Sequence, residues 1–202
     1  MTLGEVGTLF GGLTGKSKLD FQVGGARFVS YRNVFANIAT DVTPEDAFVR
    51  IGDGESQRQL RRGDVLFTGS SETVDQCGMS SVVTAEPPEP LYLNSFCIGF
   101  RPHDPHLFNP EFAKHLFRSA ALRQQIVRTA HGVTRFNVSK ARLAQVTVPI
   151  PPTSEQKRLA DILDTLDTHV KELSGHLSSE LRARRRQYEH YRNSLLDFSE
   201  AA

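Results

Sequence analysis

From Phe112 to Ser154 the sequence contains no Asp or Glu, yet it carries Lys114, Arg118, Arg123, Arg128, Arg135, Lys140 and Arg142. Such a run of cations without internal counter-charge favours an anionic partner. The balancing acids lie mostly between Asp41 and Glu89, so a chain with 24 Lys plus Arg against 23 Asp plus Glu is polarised although its net charge is only +1. Lysine and arginine alone give sequence-blind phosphate binding; readout of bases needs forked or amide side chains on loops that reach base edges. The loop His131-Gly132-Val133-Thr134-Arg135-Phe136-Asn137 combines a flexible glycine, a guanidinium and an amide. Tyr31-Arg32-Asn33 and Gly69-Ser70-Ser71-Glu72-Thr73 are similarly equipped ends of expected strands. The expected ligand is double-stranded DNA. Thr134, Arg135, Asn137, Tyr31, Arg32, Asn33, Ser70 and Ser71 are the candidate readers, and Lys140, Arg142, Lys114 and Arg118 are further contacts in the basic stretch.

Other chemistries find weaker support. Phe10 to Ser17 nearly spells a phosphate loop, but Phe10 stands at the first glycine position and no buried strand is expected before it. Asn109-Pro110-Glu111-Phe112 approaches the N-P-P-[FY] motif of amino-methyltransferases, with Glu111 in place of a proline, and reads better as a helix start. Glu155-Gln156-Lys157 has the E-x-K form of nuclease sites without an acidic partner. His103-Asp104-Pro105-His106 reads as a surface turn rather than a metal site. Cys77 and Cys97, the chain's 2 cysteines, read as packed thiols. The chain is therefore expected to bind rather than to catalyse, without a metal or a cofactor of its own.

Loops of this kind need elements to hold them. The 202 residues are 39% hydrophobic and 23% charged, an ordinary globular composition. No internal repeat is evident, no apolar run approaches the roughly 20 residues of a membrane span, and the first residues lack a signal-peptide pattern, so a cytoplasmic location is expected. Strands are expected at 26–31, 64–68, 79–84, 91–100 and 146–150, and helices from Asn109-Pro110, over 120–130, and after Asn137 or Ser139. This is an α+β pattern, with strands first and helices later. Pro149, Pro151 and Pro152 force an extended stretch, after which Thr153 and Gln156 form a T-x-x-Q capping box. We place the domain boundary there: 1–152 for the binding domain and 153–202 for a long C-terminal coiled-coil helix. Its apolar residues Leu159, Leu163, Leu166, Val170, Leu173 and Leu177 follow heptad spacing. After a four-residue stutter the seam resumes with Leu181, Arg184, Tyr188, Tyr191, Leu195 and Phe198. Such a helix, roughly 68 Å long at 1.5 Å per residue, is expected to pair with another. The basic run at Arg182, Arg184, Arg185 and Arg186 reads as a solvated or partner-facing surface. A coiled-coil scaffold without DNA specificity is the competing reading.

The run RFNVSKARLAQVTVPIPPTSEQKRLADILDTLD, followed by a helix ending RRRQYEHYRNSLLDF, resembles the end of a target recognition domain and the helix of a type I restriction-modification specificity subunit. GDVLFTGSSETVDQCGMSSVV and LYLNSFCIGFRP are similar to members of that family as well, and the resemblance is most specific at the PIPP-x-x-EQ junction. It implies a non-catalytic DNA-recognition subunit that directs a methyltransferase subunit and an ATP-dependent nuclease-translocase subunit. S-adenosylmethionine, ATP and magnesium would then belong to those partners. Typical members hold two recognition domains and two helices, so this chain resembles a half subunit. The resemblance implies a homodimer through antiparallel helices, and hence an interrupted palindrome methylated at adenine.

Overall fold

The deepest strand of the molecule, β4 (Val65–Thr68), is buried on both faces, and its alternate residues serve two different cores. Val65 and Phe67 enter the larger core while Leu66 enters a second one on the opposite face, as the two-residue period of a strand requires. This computed structural model describes residues 1–21, 25–52 and 54–196, without the side chains of 176, 178 and 190–196. It divides into two compact units, Met1–Ala160 and Asp161–Ala202.

The first unit begins with α1 (Leu3–Val6) and β1 (Gly7–Gly11), followed by a 3-10 turn at Lys18–Phe21, β2 (Ala26–Val29) and α2 (Tyr31–Ala36). Next come β3 (Phe48–Val49), β4, β5 (Ser70–Ser71), β6 (Ser80–Val82), β7 (Leu91–Leu93) and β8 (Cys97–Pro102). Helices α3 (Pro110–Leu116) and α4 (Ala120–Val127), the hairpin β9 (Ala130–His131) and β10 (Phe136–Val138), and α5 (Lys140–Leu143) complete it before α6 (Thr153–Leu196) begins. The strands form an antiparallel sheet of order β1-β8-β4-β6, a mixed sheet β3-β2-β7, and a small antiparallel sheet β5-β10-β9. The α+β class follows.

The helices start where side-chain oxygens cap them. Asn109 accepts from the Glu111 N–H at 2.9 Å with Pro110 at the first turn, so the Asn109-Pro110-Glu111-Phe112 run is a helix start. Ser30, Ser119 and Ser139 cap α2, α4 and α5 in the same way. Helix α3 then lays Phe112 and Leu116 onto the larger core, and Phe117 meets Phe67 and Phe108 edge to face at 5.7 and 6.0 Å.

Three expected strands come out differently. The stretch 26–31 ends at Val29, because Ser30 caps α2, so Tyr31-Arg32-Asn33 open a helix rather than end a strand. The stretch 91–100 is two strands in two sheets, because Asn94 turns the chain: its side-chain oxygen accepts from Phe96 N–H and its carbonyl from Cys97 N–H. The stretch 146–150 is not a strand but pairs through one bridge, Thr2 to Thr147, with Leu3 N–H donating to the Val146 carbonyl and Val148 N–H to that of Met1. Pro149 has no N–H to continue the ladder.

The capping box at Thr153 is also corrected. The carbonyl of Pro152 receives the Glu155 and Gln156 N–H groups, and the Gln156 side chain turns inward. Its Oε1 accepts from Asn109 N–H at 2.7 Å, and its Nε2 donates to the carbonyls of Leu107 at 3.0 Å and Pro151 at 2.9 Å. The residue is 1% exposed. Leu159 and Ala160 pack on the larger core, so Leu159 serves this unit rather than an outward seam.

In the second unit Leu166, Val170, Leu173, Leu177, Leu181 and Tyr188 are all exposed, at 53 to 69% of their surface. Leu163 is half-buried. The expected seam positions Tyr191, Leu195 and Phe198 lie outside the described residues, the first two by their side chains. Among the described residues no helix is long and apolar enough to cross a membrane.

Candidate nucleic-acid interface

The small sheet β5-β10-β9 displays the residues expected to read bases. Asn137 of β10 pairs with Ser70 on one side and His131 on the other, so the Ser70-Ser71 segment and the 131–137 hairpin share one surface. Gly132 closes that hairpin at φ +135°, where a Cβ would collide with the Arg135 carbonyl; only glycine fits this tight return. The turn leaves Val133, Thr134 and Arg135 exposed.

Arg135 is oriented rather than loose. Its Nη2 donates to Ser70 Oγ at 3.1 Å, and its guanidinium carbon lies 5.9 Å above the centre of the Phe96 ring. Across the cleft, the Tyr31 hydroxyl donates to the Ser70 carbonyl at 2.7 Å and its ring stacks on Phe35. An open cleft of about 640 Å³ results, lined by Tyr31, Ser70, Ser71, Thr134, Arg135 and Phe96 together with Glu72, Gln76 and Asn94. A second, smaller concavity shares Ser70 and Phe96 with it and adds Asn137 and Lys140. Thus Tyr31, Ser70, Ser71, Thr134, Arg135, Asn137 and Lys140, drawn from distant parts of the sequence, meet at two adjoining hollows. Arg32 is exposed at the start of α2 beside Tyr31, and Arg128 and Arg142 are exposed as well.

Three expected contacts are engaged inside the fold instead. Asn33 is buried: its Nδ2 donates to the Asp41 carbonyl and its Oδ1 accepts from Asp41 N–H and Asn37 Nδ2, which fixes the turn after α2. Arg118 donates to the carbonyls of Ser80, Val34, Phe35 and Asn37, and desolvation, with Arg123 nearby, lowers its pKa to about 10. Lys114 has an 11% exposed side chain and sits 2.6 Å from the carboxylate of Glu111, an acid just before the acid-free stretch. Arg123, similarly, serves the carbonyls of Asp75, Cys77 and Gly78. A count of charges along the chain therefore overstates the cations available at the surface. Arg128, Arg135, Lys140 and Arg142 are the exposed remainder of that stretch.

Sequence reasoning missed Phe35, Gln76, Asn94 and Phe96 of the larger hollow. Asn94 and Phe96 were hidden inside the supposed single strand 91–100, although an Asn-Ser pair in an apolar run is itself a turn signal. The other motifs also find structural uses. Phe10 lies in β1 under the guanidinium of Arg58 at 4.9 Å, and Lys16 is bound by the Glu55 carboxylate and the Arg50 carbonyl. Asp104 accepts from His106 N–H within its turn, and His103 Nε2 lies 3.1 Å from Thr8 Oγ1. Cys97 is buried, which raises its thiol pKa to about 12, and Cys77 donates weakly to the Phe136 carbonyl.

Comparison with known proteins gives a consistent result. Residues 1–183 match the family described as type I restriction modification DNA specificity domain. The chain is 26% identical over 204 residues to the EcoR124I/EcoR124II specificity subunit of Escherichia coli, covering 98% of this chain and 48% of that one. It shares its fold with a type I restriction-modification S subunit from M. genitalium, at a TM-score of 0.54 and 17% identity, covering 98% of this chain and 46% of the other. A structure described for complex assembly and conformational transition of the type I R-M system gives a TM-score of 0.61 at 21% identity, covering 94% of this chain and 43% of the other. The chain thus spans about half the length of the E. coli relative.

Proposed function

Because this chain belongs to the family of type I restriction modification DNA specificity domains, we propose that it is a specificity subunit that reads duplex DNA through the paired hollows around Ser70 and Phe96. The observation that carries this reading is convergence: an exposed guanidinium, an exposed amide, hydroxyls and a lysine meet on one rim. Arg135, held beside Ser70, is suited to the O6/N7 face of guanine, and Asn137 to the N6/N7 face of adenine. Lys140, Arg142 and Arg128 supply phosphate contacts, which set register and carry the salt dependence. Arg32 adds a further exposed cation near Tyr31. Asn33, Arg118 and Lys114 have no part in this reading.

The subunit specifies and does not catalyse. Methylation belongs to a methyltransferase partner that brings S-adenosylmethionine, and cleavage to a nuclease-translocase partner that uses ATP and magnesium. Two copies pair through the exposed stripe from Leu166 to Tyr188 in antiparallel fashion, burying apolar surface that a monomer leaves in water. Two identical recognition domains related by a two-fold axis read inverted half-sites separated by a fixed spacer.

The test is enrichment of duplexes from a random pool by the full chain, followed by salt titration. An interrupted palindrome is expected, and with three phosphate contacts per half-site, six for the dimer, a slope of about −5 in log affinity against log salt. Arg135→Ala and Asn137→Ala should each cost about 1–3 kcal/mol on the enriched site and little on random duplex. Failure to bind any duplex at low salt would favour the coiled-coil scaffold. An asymmetric enriched site would replace the homodimer with pairing to a different half subunit.

A further inference from the structure

Charge and hydrogen bonding give Phe96, which lines both hollows, no role. Phe96 is 61% exposed, where folding gains little from it. Isolated exposed apolar side chains are ordinary, but this one differs in two respects. Its backbone is fixed: Phe96 N–H donates to Asn94 Oδ1 at 2.9 Å, and its carbonyl accepts from Gly69 N–H at 2.8 Å. A side chain at position 69 would strike that carbonyl, so the close approach requires glycine. Its placement is the second difference. Phe96 borders both hollows, with Arg135 in one and Asn137 and Lys140 in the other.

Resting on the DNA reading above, we propose that Phe96 is a specificity-determining residue that reads the 5-methyl group of a thymine in the major groove, next to the base pair contacted by Arg135. The thymine methyl is the apolar group that base edges offer there, and a rigid phenyl among polar readers matches it. A wedge between base steps needs both ring faces open, whereas the Arg135 guanidinium lies over one face of Phe96. Edge contact remains available. With the cation beside the ring, the two side chains address neighbouring base pairs, guanine for the fork and thymine for the phenyl.

The experiment uses the full chain and its enriched duplex. Each thymine is replaced in turn by deoxyuridine, which removes only the methyl group. One position in each half-site, adjacent to a guanine, should lose about fourfold in affinity, the effect of removing one buried apolar carbon, and the others should lose nothing. Phe96→Ala should bind thymine and deoxyuridine duplexes equally, while Phe96→Leu should keep part of the difference. An enriched site without a deoxyuridine-sensitive position overturns the proposal, as does a Phe96→Ala chain that still discriminates fully. The scan on the unmodified protein makes the test independent of how the variants fold. A pool that yields no enriched sequence overturns the DNA reading itself, a distinguishable result.

Discussion

Replacing Gln156 tests whether the entry of α6 is fastened by hydrogen bonding or by shape. The side chain makes three hydrogen bonds at 2.7 to 3.0 Å, all to backbone groups, from a position that is 1% exposed. Gln156→Met keeps most of the volume and leaves one N–H and two carbonyls without this partner. At about 1–3 kcal/mol for each buried group left unsatisfied, and with water recovering part of the loss, the expected destabilisation is about 3 kcal/mol. Gln156→Ala adds a cavity and should reach about 4–5 kcal/mol. Against a typical domain stability of about 5–15 kcal/mol these are large changes, and the Met variant should melt roughly 10 °C lower. Urea unfolding followed by far-ultraviolet circular dichroism and by tyrosine emission, the chain having no tryptophan, measures both. A Met variant within about 1 kcal/mol of the parent would refute the hydrogen-bonding account, leaving packing as the cause.

Arg118→Ala removes a donor to four carbonyls and should destabilise the domain by about 3 kcal/mol while leaving DNA affinity per folded molecule unchanged; a DNA defect without a stability defect would return Arg118 to the interface. Acid should loosen the clasp between residues 14–20 and 50–57. Glu55 is held at about 2, chiefly by the Lys16 ammonium, and Asp20 at about 2, chiefly by the Ser17 hydroxyl. Both values lie below the ordinary 4.5 and 3.8, so their contribution is complete at neutral pH and is lost as pH falls from about 4 toward 2. Glu55→Gln with Asp20→Asn should flatten stability against pH in that window, and an unchanged slope would contradict the assignment. Leu166→Glu with Leu173→Glu places charges in the exposed stripe and should turn a dimer into a monomer by light scattering without altering the thermal midpoint of the first unit; persistence of the dimer would remove that stripe from the interface.

The loop at 131–137 was legible, though not the two strands that flank its turn, because its glycine, forked cation and amide lie within seven residues and turn chemistry is local. Helix starts at Asn109, Ser119 and Ser139 are local too, as is the heptad spacing beyond Ala160, whereas Ser30, which caps α2, reads from the sequence alone as the end of a strand. What was not legible depends on neighbours from elsewhere in the chain. Nothing near Arg118 announces that four carbonyls, three of them from the end of α2, surround its guanidinium. Asn33 reads as a polar strand end until the chain returns at Asp41 and takes both of its polar atoms. Gln156 has the spacing of a capping residue, and only the approach of Leu107 and Asn109 turns its amide inward. For Lys114 the error was one of windowing, since its partner Glu111 stands one residue outside the acid-free run.

The three partners of Gln156 are main-chain atoms, so the clamp is blind to the side chains of the segments it grips. A different recognition domain, with other residues on its hollows, would be held equally well if its chain passed residues 107, 109 and 151 along the same path. On the proposed reading of the hollows, recognition and fastening are thereby separable traits. The hollows themselves do not divide in that way: Arg135 depends on Ser70, Ser70 is tied to Tyr31, and Phe96 depends on the glycine at 69. Moving the 131–137 hairpin alone into another scaffold would leave its guanidinium unoriented. Exchange of specificity should therefore succeed by swapping whole domains ahead of the proline stretch, and fail loop by loop.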